Sequence, residues 1–465
     1  MRECPVRELL CSIGPHKRFY FSLVMASMFC IIFYNTYLST INNPELQELL
    51  YYQTQQRNEC QVNGIATENE SVVKEKQEIV EWTDRLFTRP KCAGLLQNIT
   101  IGKWKIDEPM NEDLSKELKK IHQNYRKKTG IPIHPWRTDH RCGYRILADR
   151  VSFSWPRIAS FCDPQSSRPC CSDQLNGYCV PVTKELTCDC PNCIDTRKYK
   201  DALLAHWTTK DKRCSWKNFT SLEACAVLNR LSRHENKAHV HFIGDSLMRN
   251  MFLGITTLLT ANRKNGAWRK CVSDKLKKLC KGENLFLMRP CHDLAAVHNL
   301  HDLQEVNGSL CNNHRNFEAE YNEYGMPSLA ADFVKFATNV KGNENSYFVV
   351  GVGLHFQCNA EKVIKMFLEP AIRELDYSDT SWPRLIWVHP LSIGLLKPPR
   401  YLNTQGDVAI SQFGVKMEKY LKDYRIPALD FKYITKGVHS YDGTHYGAGV
   451  NIMKAQILLN YLATL

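Results

Sequence analysis

Three residues of this 465-residue chain have the types and the setting of a catalytic triad. Ser246 follows the alternating stretch HVHFIGD and opens the stretch SLMRNMFLGITTLLT, whose apolar residues recur at helical spacing. Asp442 and His445 stand three residues apart in YDGTH, just before the apolar stretch that ends the chain. A serine nucleophile needs a base and a group that orients the base. We therefore expect His445 to take the serine proton and Asp442 to hold its imidazole.

Each motif also has a plainer interpretation. For GDS, the alternative is that Asp245 simply caps the helix that begins after it. For YDGTH, it is a polar turn with a structural histidine. His389 in WVHP and His439 in VHSYDG are rival candidates for the base. A tripeptide such as GDS also arises by chance in long chains, so the order of GDS and D-x-x-H along the chain carries more weight than either motif.

The elements that must position these residues alternate between short apolar runs and helical patterns. YFVVGVG (347–353) and RLIWVHP (384–390) are short apolar runs of buried-strand type, and AHVHFI and IPALDFKYI contain further strand candidates, whereas 360–375 and the final stretch have helical spacing. Such alternation predicts an α/β fold with a mainly parallel sheet covered on both faces. Reactive groups gather beyond the carboxyl ends of such strands. There the Ser246 N–H, at a helix N-terminus, is the expected oxyanion donor, and Gly244 permits a close approach of backbone.

Both motifs together resemble those of the SGNH/GDSL-like hydrolases. Within them the chain resembles the PC-esterase branch, which includes plant trichome-birefringence-like polysaccharide O-acetyltransferases and animal neurexophilin/PC-esterase-domain proteins. GDSLMRN is similar to the GDSLSRN of plant members. A series of residues that plant members carry before GDS looks like Asp195, Tyr199, Trp207, Cys214 and Phe219 here. The resemblance covers residues 140 to 465.

The resemblance implies an SGNH-like three-layer fold and acyl transfer through a serine ester, with no cofactor and no metal. Gly244 and Asp245 would line the site, and Gly353 or His355 would supply the second oxyanion donor. Two departures are visible: Gly353-Leu354-His355-Phe356 has one residue more than the Gly-His-Trp of plant members, and Tyr446 replaces their Trp after D-x-x-H.

Three functions remain open at this point. The first is a lumenal serine-dependent O-acyltransferase, with acetyl as the expected group, that acts on glycan hydroxyls and takes its acyl group from an unidentified donor. The second is a carbohydrate or lipid esterase of the same fold, because the triad is the same when water is the acceptor. The third is a catalytically inactive domain that binds a glycan or a protein.

The N-terminal region predicts one membrane anchor. Residues 19–38, FYFSLVMASMFCIIFYNTYL, carry no charge and are long enough to span the hydrocarbon, and basic residues precede them. A cleaved signal peptide is the alternative. We therefore predict a cytoplasmic tail (1–18), the anchor (19–38), a stem (39–130), a cysteine-rich segment (131–214) and the catalytic domain (215–465). The expected location is the Golgi membrane as a single-pass type II protein, with the endoplasmic reticulum or the cell surface as alternatives.

Sequons and charge agree with a lumenal head. The four sequons at Asn69, Asn98, Asn218 and Asn307 all follow the predicted anchor. The formal net charge of +13 favours anionic partners, here an acidic glycan rather than nucleic acid because of the compartment. Residues 263–281, RKNGAWRKCVSDKLKKLCK, either bind such a glycan or form a solvated face.

Cysteine usage also fits an oxidising compartment. The chain has twenty cysteines, and seventeen of them follow the predicted anchor, so at least one is free or bonded to another chain. The cluster CDCPNC (188–193) admits a zinc site or disulfides. We expect disulfides, because no histidine or second C-x-x-C lies at matching spacing.

Overall fold

The computed structural model describes residues 95–130, 139–141, 143–146, 159–160, 162–163, 166–172, 177–181, 199–211, 216–233, 236–304 and 310–465. The predicted anchor, the sequons Asn69 and Asn307, the CDCPNC cluster, Asp195 and Cys214 lie outside these residues.

The strands of the described residues are, in chain order, β1 (Gly102–Ile106), β2 (Gly143–Ile146), β3 (Ala159–Ser160), β4 (Cys170–Ser172), β5 (Tyr178–Val180), β6 (Ala205–Thr209), β7 (Ala238–Gly244), β8 (Phe317–Glu323), β9 (Ser346–Gly351), β10 (Arg384–Val388) and β11 (Ala428–Leu429). The α-helices are α1 (Leu95–Ile99), α2 (Glu112–Thr129), α3 (Ser221–Arg230), α4 (Ser246–Leu259), α5 (Asp274–Leu279), α6 (Asn284–Leu287), α7 (Arg289–Leu294), α8 (Ala330–Val340), α9 (Ala360–Val363), α10 (Glu369–Leu375), α11 (Leu402–Gln405), α12 (Asp407–Asp423), α13 (Lys432–Thr435) and α14 (Ala448–Leu462). Short 3₁₀ turns cover Ala202–Leu204, Leu300–Asp302, Leu310–Asn313, Pro327–Leu329 and Pro399–Tyr401, and a π-helical turn, Ile364–Leu368, joins α9 to α10.

A parallel five-stranded sheet in the order β11-β10-β9-β7-β8 organises the head. β7 is an interior strand that pairs with the edge strand β8 on one side and with the central strand β9 on the other, with Gly244 opposite Gly351. All seven residues of β7 except His239 are buried, as expected for a strand that is covered on both faces. The α/β fold with a parallel sheet is therefore confirmed.

Helices cover both faces of the sheet. Successive side chains of each strand point to opposite sides, so the buried strands present apolar side chains to helices on each face. Val240 and Phe242 of β7 belong to one apolar cluster together with residues of α3, α4 and α14. Ile243 of β7, with Phe348 and Val350 of β9, belongs to a second cluster with residues of α8, α10 and α12. The described part of the head thus has three layers, helix on sheet on helix.

The helix α2 begins and ends where the sequence predicts. The side chain of Asn111 accepts a hydrogen bond from the Leu114 N–H at 3.0 Å, and Gly130 ends the helix at φ 73°. This helix lies within the range assigned to the stem, yet His122 stacks on Tyr441 with ring centroids 4.4 Å apart. Helix α2 therefore packs directly on the loop that carries Asp442 and His445.

Disulfide bonds staple the described residues as expected. The bridges join Cys162 to Cys179, Cys225 to Cys311 and Cys280 to Cys291. The sulfur of Cys171 lies within 4.8 Å of those of Cys162 and Cys179, but Cys171 is itself disulfide-bonded. This cluster therefore offers no thiolate to a metal. Among the described cysteines, Cys358 is free.

None of the helices in the described part of the chain is long and apolar enough to cross a membrane.

Candidate active site

Ser246 stands at a tight turn between β7, an interior strand of the sheet, and the buried helix α4. β7 ends at Gly244, whose φ of +152° and whose contact with β9 both exclude a side chain: a Cβ here would lie 2.1 Å from the Gly351 carbonyl oxygen. Asp245 caps α4, since its carboxylate accepts the Leu247 N–H at 2.9 Å. Ser246 is then the first residue of the helix. The capping interpretation and the placement of Ser246 at the rim of the sheet both hold.

The Ser246 hydroxyl meets His445 across the carboxyl edge of the sheet. Ser246 Oγ and His445 Nε2 are 2.7 Å apart. The other ring nitrogen, Nδ1, lies 2.6 Å from Asp442 Oδ2, so the neutral ring carries its proton on Nδ1 and turns the bare Nε2 to the serine. The His445 side chain is 27% exposed and that of Asp442 14%. An incoming ester can therefore reach the serine and the imidazole, while the carboxylate stays behind them.

The Asp442 carboxylate is held in its charged form. Oδ1 accepts the N–H groups of His445 and Thr444 at 2.7 and 2.8 Å, while Oδ2 faces the imidazole. Burial alone would raise the pKa of Asp442, but the charge of a protonated His445 and these hydrogen bonds outweigh it and bring the pKa to about 2. Asp442 is thus placed to orient the imidazole and to stabilise it when it is protonated.

An oxyanion formed at Ser246 would find a donor beside it. The Ser246 N–H, at the start of α4, makes no hydrogen bond to the described residues. Gly353 is buried and lines a small pocket together with Asp245 and Leu247, two residues beyond the Gly351 that pairs with Gly244. His355 is exposed on the same loop. Both tentative second donors thus lie on the loop that follows β9, next to the turn of Ser246.

A buried lysine of the last helix donates a hydrogen bond to the first turn of α4, next to Ser246. Lys454 is 1% exposed and its ammonium donates to the Leu247 carbonyl at 3.0 Å and to Asn451 Oδ1 at 3.2 Å. Burial lowers the pKa of Lys454 to about 7, against the charge of Asp245, which raises it. Burial raises the pKa of Asp245 itself. The contact joins α14, which follows His445, to α4, which begins with Ser246.

Sequence reasoning missed Glu283, which holds the loop of Asp442 and His445 at both ends. Its buried carboxylate accepts the Tyr441 hydroxyl at 2.8 Å and the Ala448 N–H at 3.0 Å. Gly447 leaves room for it, since a Cβ there would lie 1.9 Å from Glu283 Oε2. Burial raises the pKa of Glu283 to about 6, although both hydrogen bonds lower it. No local pattern around Glu283 signals this role.

Lys397 was also missed, and it contacts the same loop from the other side. Its ammonium donates to Thr444 Oγ1 at 2.8 Å and to Gln405 Oε1 at 2.6 Å. The residue is 6% exposed, and burial lowers the pKa of Lys397 to about 8 although the charge of Asp442 raises it. Its chain neighbours are leucines and prolines, which give no hint of such a contact.

The two rival histidines lie elsewhere. His389 is 4% exposed, and burial lowers its pKa to about 4. Its ring nitrogens have no hydrogen-bond partner among the described residues, so it does not meet the serine. His439 instead contacts the ring of His122 at 6.1 Å between centroids and that of Tyr199 at 5.9 Å. Among the described histidines, His445 is the one in hydrogen-bond contact with Ser246.

The described residues of the series before GDS build the scaffold. Trp207 is buried and donates to the Ile99 carbonyl at 3.0 Å. The backbone of Phe219 exchanges two hydrogen bonds of 2.8 Å with the Gln456 side chain on α14.

Tyr446, the residue after D-x-x-H, is buried as well, and its hydroxyl donates to the Ser392 carbonyl at 2.8 Å.

The remaining sequence-predicted sites are on the surface of the head or near it. Asn218 is exposed, whereas Asn98 is half-buried in α1. The basic run 263–281 folds as one structured segment that contains α5, with Trp268 buried and Cys280 bridged to Cys291. Glu283, whose carboxylate contacts the loop of Asp442 and His445, lies between these two bridged cysteines in the chain.

Comparison of the chain with protein-family models and with curated proteins finds no match.

Proposed function

We propose that the protein is a lumenal serine-dependent O-acyltransferase, with acetyl as the acyl group, that acts on glycan hydroxyls through an acyl-serine intermediate. The observation that carries the proposal is the continuous contact of Ser246 Oγ, His445 and Asp442, at 2.7 and 2.6 Å, beside a free N–H at a helix N-terminus. The parallel sheet, with GDS after the interior strand β7 and D-x-x-H before the last helix, supports an SGNH-like assignment of the head.

The reaction runs in two steps on this geometry. Ser246 Oγ attacks the acyl carbonyl while His445 Nε2 takes its proton, and the resulting oxyanion lies against the Ser246 N–H. His445 then returns the proton to the leaving oxygen, and the acyl group stays on Ser246. In the second step a glycan hydroxyl gives its proton to His445 and attacks the acyl-serine, and the same proton finally returns to Ser246.

Only the acceptor separates a transferase from an esterase, since water can take the place of the glycan hydroxyl. The predicted anchor and stem favour a glycan acceptor, because a membrane anchor, a stem and a lumenal head resemble the layout of Golgi glycan-modifying enzymes. The location, the acceptor and the type II orientation are parts of the same proposal.

The experiment uses the full-length chain, an activated acetyl ester, and glycan oligosaccharides. Ester cleavage that requires an oligosaccharide and leaves an acetylated sugar identifies a transferase, whereas release of acetate into water identifies an esterase. Ser246→Ala should abolish either reaction. Ser378→Ala is the control, because Ser378 lies in an exposed turn before β10, at the opposite edge of the sheet. Equal rates for wild type and Ser246→Ala would leave only a binding role for the domain.

A further inference from the structure

Arg249 lies on the same face of α4 as the nucleophile. Ser246 is the first residue of the helix and Arg249 follows three positions later. Residues at this spacing are neighbours on a helix surface. Helical side chains also lean toward the N-terminus of their helix. The guanidinium of Arg249 is therefore directed toward the rim of the sheet where Ser246 stands.

This guanidinium has no partner in the described part of the chain. Arg249 is half-buried, its side chain makes no hydrogen bond or ion pair with a described residue, and its Nε is buried and unpaired. Burial lowers the pKa of Arg249. A charged group withdrawn from water is costly unless it is paired. The Arg249 guanidinium is thus a cation whose missing partner a bound ligand can supply.

The nearby carboxylates leave Arg249 free. They act on it only at a distance: Asp245 caps Leu247 at 2.9 Å, Asp293 pairs with Arg289 at 3.8 Å, and Glu323 is exposed. Within the described residues no carboxylate lies in ion-pair contact with Arg249. The positive charge is therefore attenuated but not neutralised.

His292 adds an unpaired hydrogen-bonding atom beside this charge. It lies on α7 next to Cys291, whose bridge to Cys280 holds it in place. Burial lowers the pKa of His292 to about 3, with Arg249 as the next cause, and the charge of His445 acts in the same direction. His292 is therefore neutral at physiological pH, and the charges of both Arg249 and His445 act on it. Its Nε2 is buried and has no partner among the described residues.

The two groups together match an acidic sugar. The ring of His292 donates to the Phe286 carbonyl, which leaves the unpaired Nε2 as an acceptor. Nε2 can take a hydrogen bond from a sugar hydroxyl, while the guanidinium binds an oxyanion through two parallel N–H groups. The single positive charge of Arg249 is matched by a ligand group with a single negative charge. The net charge of +13 raises the local concentration of acidic glycans around the head.

We propose that Arg249 and His292 form a recognition site for a monoanionic group, a sugar carboxylate or a sulfate ester, on the glycan that accepts the acyl group at Ser246. In calling the ligand an acyl acceptor, the inference rests on the proposed function. The anionic group fixes the sugar ring so that a neighbouring hydroxyl reaches the acyl-serine.

Binding is measured first, without an acyl donor, so that no turnover is needed. The probes are a galacturonate trisaccharide, its methyl ester and a sulfated galactose trisaccharide, each titrated into the full-length chain. We expect the galacturonate or the sulfated probe to bind at least tenfold more tightly than the methyl ester, and the tighter of the two identifies the anion. Arg249→Gln should remove this difference, and Arg249→Lys should retain part of it. Arg373→Gln is the control, because Arg373 is exposed on α10.

Equal binding of all three probes to the wild type overturns the inference, as does a preference that persists in Arg249→Gln. Thermal melting identifies folded variants, and Arg249→Lys serves if Arg249→Gln does not fold. Acyl transfer is measured second. Arg249→Gln should lower kcat/KM for the acidic acceptor at least tenfold more than for the methyl ester. An equal loss for both acceptors would mean that the guanidinium acts on the reacting oxyanion, and would also overturn the inference.

These two measurements separate the two proposals. A charge preference that depends on Arg249, without ester turnover by any variant, disproves the transferase and leaves a site for acidic sugars. Turnover that depends on Ser246, without a preference for charge, leaves the transferase and disproves the recognition site.

Discussion

The buried carboxylate of Glu283 accepts the hydroxyl of Tyr441 at 2.8 Å, and Tyr441 directly precedes the triad carboxylate in the chain. The same carboxylate accepts the Ala448 N–H at the start of the last helix. Asp442 and His445 lie between these two anchor points. Glu283 thus holds the loop of Asp442 and His445 at both of its ends.

Glu283→Ala should lower kcat about tenfold or more with little change in KM. The substitution leaves the Tyr441 hydroxyl and the Ala448 N–H unpaired, at a cost of about 1 to 3 kcal/mol for each group, so the melting temperature falls as well. Glu283→Gln keeps one acceptor and should recover part of kcat. Glu374→Ala is the control for steady-state kinetics, because Glu374 is exposed on α10. A loss of stability without a change in kcat in the folded fraction would show that Glu283 does not position the triad.

Asp442→Asn should lower kcat by roughly a thousandfold or more, because the amide can donate to Nδ1 and favours the wrong tautomer of His445. KM for the acyl donor should change little, since Asp442 lies behind the imidazole. Asp423→Asn, at the exposed end of α12, is the matched control. Activity within tenfold of the wild type would exclude Asp442 as the orienting group.

The pH dependence of stability should contain a contribution from Asp442. Its pKa in the folded protein, about 2, lies below the ordinary value of 3.8, so the charged form favours folding. This stabilisation is complete above pH 3.8 and is lost as the pH falls toward 2. Its size is on the order of 2 kcal/mol. Denaturant titrations between pH 5 and pH 2 should show a smaller loss for Asp442→Asn than for the wild type, and parallel curves would contradict the shift.

Gly244→Ala should destabilise the head by about 3 kcal/mol or more, because the new Cβ would collide with the Gly351 carbonyl and the backbone is in a region that favours glycine. Gly342→Ala is the matched control. It has φ +77° with no atom within 4 Å of the new Cβ, so only backbone strain of about 1 kcal/mol remains. Thermal melting of the two variants checks the difference, and equal melting temperatures would disprove the close approach at Gly244.

Local patterns were enough to predict several elements. Apolar runs identify the sheet strands β9 and β10, because buried parallel strands are continuously hydrophobic, and β7 and β11 also lie within stretches with the pattern of strands. Apolar runs do not identify β8, whose sequence FEAEYNE alternates polar and apolar residues, as suits its place at the edge of the sheet. The capping of α2 by Asn111 and Gly130 also follows from neighbouring residues alone.

By itself the sequence determined which groups are able to react: a serine at a strand-to-helix turn, and an aspartate and a histidine three residues apart. Only the tertiary structure decided that they meet. Ser246 and His445 are 199 positions apart, and their contact depends on the packing of α14 against α4 on one face of the sheet. The contacts of Glu283 with the Ala448 N–H and of Lys397 with Thr444 likewise join segments that are distant in the chain. Short-range periodicity and capping report only on neighbours in the chain, whereas contacts between distant segments follow from how whole elements bury their apolar faces.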